Sequence, residues 1–382
     1  MSQDKLADKY DLVIGIPTLN EEDNISLITK IIDKGLTDYF KDKRALILNV
    51  DSNSEDQTRE VFSRTHTKNK KRSLLAKYEP AGKGANIFTM IDFGLERGVE
   101  YFCTVDADIT SASPKWLNKL IRPLIDDKAD YVAPVYKRNR YEGNTTNHLC
   151  VPVLNNLYNV PIRQPIGGEF AFDSKFANFI KETEKPKSAY KYGIDIFLTA
   201  SAVLNGFRVE EVFLGNKKHK PSFDKMPVMF QEVCETLFRL ISEYESVRGK
   251  IKINSKSKER TGIASFANKP QKKRIKLTRK YAKEELRQFV DEKMFSDRLE
   301  KLIEKVILNN YEVSTPLWED FLAESVNLCR KDLSEEADFK KLAEFIMPIF
   351  LLRVLTYYKE IEGKEPELVE QMLKYGVGEI PK

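Results

Sequence analysis

From Asp11 to about Gly215, short β-rich runs alternate with helix-like stretches, and no other feature of the chain constrains its fold as strongly. Such alternation produces a mostly parallel sheet covered by helices. Leu12 to Ile16, Ala45 to Val50, Leu74 to Tyr78, Tyr101 to Val105 and Tyr131 to Val135 read as strands. Helix starts lie between them: Asp23 precedes the stripe Ile25, Ile28, Ile32, and Ser113-Pro114 precede Trp116, Leu117 and Leu120. After about Met226 helical periodicity takes over, in Phe230, Val233, Leu237 and Leu240, in Leu299, Leu302, Ile303 and Val306, and from Phe345 to Leu355. The expected organisation is an α/β nucleotide-binding domain over residues 1–225 and a mainly α-helical region over 226–382.

A length of 382 residues suits two domains, and 41% hydrophobic with 32% charged residues describes a soluble globular protein. No secretory signal pattern opens the chain. The longest apolar run, Ile346 to Tyr358, is broken by Pro348 and Arg353 and is too short to span a bilayer, so no integral membrane segment is expected. Cys103, Cys150, Cys234 and Cys329 are scattered without C-x-x-C spacing, which suggests neither a zinc site nor a disulfide framework and fits a cytoplasmic location. The net charge of +5 conceals a segregation: Lys250 to Lys280 holds twelve Lys or Arg against Glu259 alone, leaving the remainder at −6. With Ser, Asn, Gly262 and Pro270 and no sustained apolar stripe, about 250–280 is expected to be an exposed basic loop.

Polar residues gather where the predicted strands end. Tyr101 to Val105 runs into Asp106-Ala107-Asp108. If that stretch stays extended, residues i and i+2 share a side, so both carboxylates can face one ligand at the carboxyl edge of the sheet. Hard oxygens there suit Mg²⁺ or Mn²⁺ bridging to phosphate; equally, Asp108 could cap the next helix. The first strand ends in Pro17-Thr-Leu19-Asn-Glu21-Glu22 ahead of a helix, and the second in Asp51-Ser-Asn-Ser-Glu-Asp56. Asp51 could hold a ribose hydroxyl or a base edge, while Asp56 reads equally as an N-cap. Gly82-Lys83-Gly84 combines close backbone approach with a positive charge for a diphosphate, without the Walker A spacing. Gln164-Pro-Ile-Gly167-Gly168-Glu169 sets a diglycine beside a carboxylate before the predicted strand Phe170 to Phe172. Asp195 opens the apolar helix Ile196 to Leu204 as either a cap or a functional acid.

These pieces occur in the order found in nucleotide-sugar-dependent glycosyltransferases of GT-A fold. The chain resembles most closely the group of mannosylglycerate synthases and glucosyl-3-phosphoglycerate synthases. P-T-L-N-E-E at 17–22, D-S-N-S at 51–54, G-K-G at 82–84 and D-A-D-I-T at 106–110 carry the broader resemblance. Q-P-I-G-G-E at 164–169, Y-G-I-D at 192–195 and the histidine of G-N-K-K-H-K at 215–220 carry the narrower one. It extends to S-T-P-L at 314–317 and L-R-V-L-T-Y at 352–357. The resemblance implies a nucleotide-diphospho-sugar transferase domain of Rossmann-like build, a nucleotide-sugar donor and a small glycerate-type acceptor. Pro17, Leu19, Glu21, Asp51, Lys83 and Asp106 would bind the donor. Asp108 and His219, with a share from Asp106, would hold Mg²⁺ or Mn²⁺. Gly167, Gly168 and Glu169 would hold donor sugar or acceptor, and Asp195 would sit beside the reacting centre. Because the group retains anomeric configuration without an established protein nucleophile, Asp195 is expected to position and stabilise charge.

In the phosphoglycerate-using relatives an arginine shortly precedes a threonine in the acceptor loop, whereas this chain reads Gly143-Asn144-Thr145-Thr146. Thr145, Thr146 and Arg138 are the acceptor candidates, and with Lys137 and Arg140 nearby both glycerate and 3-phosphoglycerate stay open. Two other functions fit parts of the chain. A polyprenyl-phosphate sugar transferase shares the broader motifs but not Q-P-I-G-G-E, and a nucleic-acid-binding protein would use the basic segment, which offers only Phe266 for stacking. No nucleic-acid partner is expected; a homo-oligomer is possible.

Overall fold

In the computed structural model, which describes residues 9–218, 223–244, 269–290 and 296–375, the first apolar run becomes β1 (Leu12–Thr18). It is followed by α1 (Ile25–Tyr39), β2 (Ala45–Asp51), α2 (Thr58–Arg64), β3 (Lys70–Leu75), α3 (Lys83–Leu95), β4 (Tyr101–Thr104), α4 (Pro114–Ile125) and β5 (Tyr131–Lys137). After α5 (Val151–Tyr158) come β6 (Ala171–Asp173), α6 (Ser174–Glu182), α7 (Ile194–Leu204) and β7 (Val209–Asn216). The strands form one sheet in the order β3-β2-β1-β4-β6-β5-β7. β1 runs parallel to β2 and β4, and β2 to β3, whereas β6 is antiparallel to both β4 and β5. Leu12, Ile14 and Ile16 bury one face of β1 against Ile25, Ile28, Ile32 and Leu36 of α1 and Trp116, Leu117 and Leu120 of α4. Each such side chain contributes roughly 1.5–3 kcal/mol on burial. Because helices cover both faces, the strands read as apolar runs and were legible in the sequence.

The predicted strand at Leu74 to Tyr78 lies instead at Lys70–Leu75. Among the described residues it pairs only with β2. As an edge strand it alternates half-buried with exposed residues, so it lacks the apolar signature of its neighbours. Tyr78 falls beyond it, its hydroxyl bonded to Asp92. β6 is one residue later than expected, and β7 had no clear signal.

The chain divides into two compact units, one holding the described residues up to Tyr136 and from Arg163 to 218, the other Lys137–Ile162 and the described residues from 223 onward. The expected boundary at 225–226 therefore misses the excursion 137–162. Its helical turn Thr146–Cys150 and α5 bury Leu149, Val153 and Leu154 in the second unit, and His148 O accepts from Trp318 Nε1 at 2.6 Å. The second unit also contains α8 (Met226–Glu243), α9 (Lys272–Val290), α10 (Asp297–Leu308), α11 (Thr315–Lys331), α12 (Glu336–Glu360) and α13 (Pro366–Tyr375). α12 is buried all round from Phe345 to Tyr358, as the central helix of a bundle must be. Phe350 stacks on Phe230 of α8 at 3.9 Å. The 314–317 and 352–357 motifs meet here: buried Arg353 donates to Val313 O at 3.0 Å, Thr315 Oγ1 at 3.0 Å and Glu360, tying the start of α11 to α12.

Residues 272–280, expected in an exposed loop, form the first half of α9. Ala282 and Leu286 are fully buried and Phe289 meets Phe345 edge-on, so tertiary packing stabilises a helix that its lysines alone would not. The rest of the basic stretch, from 250 to 268, lies outside the described residues. None of the described helices is long and apolar enough to cross a membrane.

Candidate active site

The carboxyl ends of β1 and β2 and the start of α3 are locked together by a buried hydrogen-bond network. Asp51 is fully buried: Oδ1 accepts from Ser54 N at 2.7 Å, and Oδ2 accepts from Thr18 Oγ1 at 2.8 Å and Ser54 Oγ at 2.7 Å. Ser52 Oγ bonds Asn86 Oδ1 at 2.9 Å, and Asn86 Nδ2 donates to Thr18 O at 3.3 Å, so α3 is fastened to the same corner. Asp56 is not the N-cap of α2, which is Gln57; its carboxylate accepts from Glu22 N at 3.1 Å and Thr58 N at 3.0 Å and pins the two loops to each other. Pro17 is half-buried, Leu19 stands 54% exposed at this edge, and Glu21 accepts from Asn24 Nδ2 at 2.9 Å.

Lys83 opens α3 and reaches two carboxylates. Its Nζ lies 2.9 Å from Asp106 Oδ1 and 3.1 Å from Asp195 Oδ1. Burial pulls its pKa down, but Asp106, Asp195 and Glu169 outweigh that and hold the ammonium above its ordinary value. Asp195 lies in the first turn of α7 without capping it. Burial raises its carboxyl pKa and Lys83 opposes the rise. Although close to the ammonium, Asp195 Oδ1 is buried without a hydrogen bond.

The glycines flanking Lys83 are required by packing. A Cβ on Gly84 would stand 1.9 Å from Ala189 O, and Gly84 N donates to Lys191 O at 3.2 Å. The chain leading to Asp195 thus lies directly on the start of α3. Gly84→Ala is expected to lower stability by about 2–3 kcal/mol, measured by thermal melting; a wild-type melting curve would contradict the close packing.

Glu169 is fully buried. Its Oε2 accepts from Lys217 Nζ at 2.9 Å and from the Tyr136 hydroxyl, while Oε1 accepts nothing. Burial raises its pKa and Lys217 counters the rise. Lys217 also donates to Gly167 O at 2.6 Å. Gly168, at φ +95°, passes so near Asp106 that a Cβ would lie 2.5 Å from Oδ2. Neither Lys217 nor Tyr136 was singled out by the sequence, in which the neighbouring His219 drew the attention.

The geometry of the acidic pair differs from the extended-chain expectation. β4 ends at Thr104, and Ala107 and Asp108 lie in a turn, so the alternation of a strand does not orient the two carboxylates. Asp108 does not cap α4 either, whose N-cap is Ser113. Burial and then the Asp106 carboxylate push its pKa up to about 6, with Glu21 and Glu169 adding and Lys217 opposing. A concentration of hard carboxylate oxygens with excess negative charge fits a divalent cation. Among the described residues no group of three or more His, Cys, Asp or Glu is arranged to hold a metal, and His219 lies outside them. The chain just before it is held to the loop beyond Asp108: Thr110 N donates to Lys218 O at 3.0 Å and Lys218 N to Ser111 Oγ at 2.9 Å.

Thr145, Thr146 and Arg138 belong to the second unit. Thr146 is buried and Thr145 half-buried in the turn that follows Gly143. Arg140 Nη1 donates to Lys364 O at 2.6 Å, which commits one of the three nearby cations to the unit's own packing.

A Rossmann-like sheet with a buried cluster of acids and lysines at its carboxyl edge, followed by a helical region, defines a GT-A nucleotide-diphospho-sugar transferase. Residues 13–182, less than half of the chain, match the model of Glycosyl transferase family 2. Over that stretch the chain is similar to this family, which supports a nucleotide-sugar-dependent glycosyltransferase. No curated protein matches it. Among solved structures it is similar to glucosyl-3-phosphoglycerate synthase from Mycobacterium tuberculosis in complex with Mn²⁺, UDP and phosphoglyceric acid, at 22% identity and TM-score 0.49 over 60% of this chain and 78% of that one. The complex of that enzyme with Mn²⁺, UDP-glucose and phosphoglyceric acid gives 20% identity and TM-score 0.48 over 60% and 79%.

Proposed function

We propose that the chain transfers glucose or mannose, with retention of configuration, from a nucleoside-diphosphate sugar to D-glycerate or 3-phosphoglycerate, giving a hexosylglycerate compatible solute or its precursor. The observation that carries this reading is the convergence of Lys83, Asp106, Asp108, Glu169 and Asp195 in one unit, with one buried oxygen each of Glu169 and Asp195 accepting no hydrogen bond. Buried carboxylate oxygens of this kind suit sugar or glycerate hydroxyls as donors. Asp195, held by Lys83, orients the sugar and stabilises positive charge developing at its anomeric carbon. Glu169, held by Lys217 and Tyr136, accepts from a second hydroxyl and fixes its direction. Pro17, Leu19, Glu21 and Asp51 shape the nucleotide's side of the site. A divalent cation held by Asp106, Asp108 and His219 would supply Lewis-acid neutralisation of the departing diphosphate. On the acceptor side, Gly167 and Gly168 bring backbone close to a small acid.

The test is a matrix of nucleoside-diphosphate glucose and mannose against glycerate and 3-phosphoglycerate with Mg²⁺ or Mn²⁺, products being assigned by NMR. One pairing is expected to give a hexosylglycerate with the donor's anomeric configuration, abolished by chelation. Absence of product across the matrix, or inverted configuration, would overturn the proposal.

A further inference from the structure

The basic helix α9 has two unlike faces. Ala282, Leu286 and Phe289 fasten one of them to the second unit. At 100° per residue Lys273, Leu277, Lys280, Tyr281 and Glu284 fall on a single opposite stripe, with Lys276 along its border. That stripe is exposed, and Leu277 and Tyr281, one turn apart at its centre, are 56% and 40% accessible.

Local energetics argue against this charge pattern as a device for folding. Every charged residue from Lys272 to Lys280 is basic, and the whole helix carries +6. Lysines in a first turn oppose the helix dipole, and like charges at i,i+4, such as Lys272 with Lys276 and Lys276 with Lys280, repel. Compensation is partial: Arg274 pairs with Asp224 at 2.9 Å and Lys280 approaches Glu284 at 3.7 Å, while Lys273 and Lys276 meet no carboxylate among the described residues. A locally unfavourable pattern at a solvated face marks a place where something outside the unit supplies the compensating charge.

We propose that the exposed face of α9 docks the protein on an anionic lipid surface, with Lys273, Lys276 and Lys280 at the headgroups and Leu277 and Tyr281 entering the interface. Lysines flanking an exposed leucine and tyrosine suit a lipid boundary, which takes up both charge and apolar surface. A nucleic-acid backbone would leave Leu277 unused and would be better met by arginine forks. Docking is independent of the acceptor and donor assignments above, because no residue of the stripe belongs to the proposed site.

The full-length protein is to be sedimented with vesicles of phosphatidylcholine alone and of equimolar phosphatidylcholine and phosphatidylglycerol, and titrated in parallel with duplex DNA and single-stranded RNA. Wild type is expected to bind the anionic vesicles, less so as salt rises, and to leave the neutral ones in the supernatant. Replacing Lys273, Lys276 and Lys280 together by Glu should weaken partitioning on the order of a hundredfold. Leu277→Ser with Tyr281→Ser should weaken it about tenfold. Both variants should keep the wild-type melting temperature and the wild-type transfer rate with a soluble acceptor. The proposal is overturned by absence of vesicle binding, by equal binding to neutral vesicles, by unchanged binding of the serine variant, or by tighter binding to nucleic acid than to vesicles.

Discussion

Replacing Lys83 by Met is expected to lower turnover about 10²–10³-fold and to destabilise the protein by about 3–5 kcal/mol. Both effects have one cause. The ammonium lies within 3.1 Å of Asp106 and Asp195, two carboxylates that share a largely buried space with Glu169. Without it they face each other uncompensated, and Asp195 loses the partner that orients it. Lys83→Arg should not restore activity, because a planar guanidinium cannot replace a compact ammonium between two acids held this close. Steady-state kinetics and thermal melting measured on the same preparations separate the two consequences. A variant that melts early but turns over normally per folded molecule would make Lys83 purely structural.

The second large effect is expected at Asp108, with the opposite sign for stability. Asp108→Asn should reduce metal-dependent transfer about 10²–10³-fold while the protein without added metal becomes more stable, by about 1 kcal/mol. Asp108 is a carboxylate in a poor position: burial and the neighbouring Asp106 disfavour its charged form and push its pKa up to about 6. Removing the charge relieves that repulsion and also removes an oxygen from the proposed metal site. Full activity with Mn²⁺, or Mn²⁺ affinity unchanged in a calorimetric titration, would dissociate Asp108 from the metal. A lower melting temperature would contradict the repulsion.

Much of the first unit was legible because its signals are local. Apolar strands buried on both faces, Pro114 at the start of α4 and the polar residues following each strand are read directly along the chain. The edge strand Lys70–Leu75 departs from the expected Leu74 to Tyr78 because it lacks that apolar character, and residues 272–280 are helix rather than the expected loop because α9 is stabilised by Ala282, Leu286 and Phe289 packed on distant residues. The assignment of 137–162 to the helical unit was hidden for the same reason.

At the site, residue types and their order were available from the sequence, but their pairing was not. Gly82-Lys83-Gly84 suggests a diphosphate clamp in the sequence; in the fold, Gly84 admits the chain before Asp195 and Lys83 joins residues 23 and 112 positions away. Asp51 suggested a ligand for ribose, and its carboxylate proves to be occupied by Thr18 and Ser54. Lys217 was passed over because nothing in a lysine-rich segment marks which ammonium is buried, and only the position of fully buried Glu169 singles it out.

The sequence by itself therefore determined the alternating α/β architecture, the helical region and the set of acids and lysines available for chemistry, since each depends on short-range periodicity or on composition. Tertiary structure alone decided which lysine neutralises which carboxylate, which carboxylate oxygens remain without hydrogen bonds, and that residues 272–280 are helical. Those outcomes depend on desolvation and on charge–charge distances between residues far apart in the chain, and such distances exist only once the sheet has assembled.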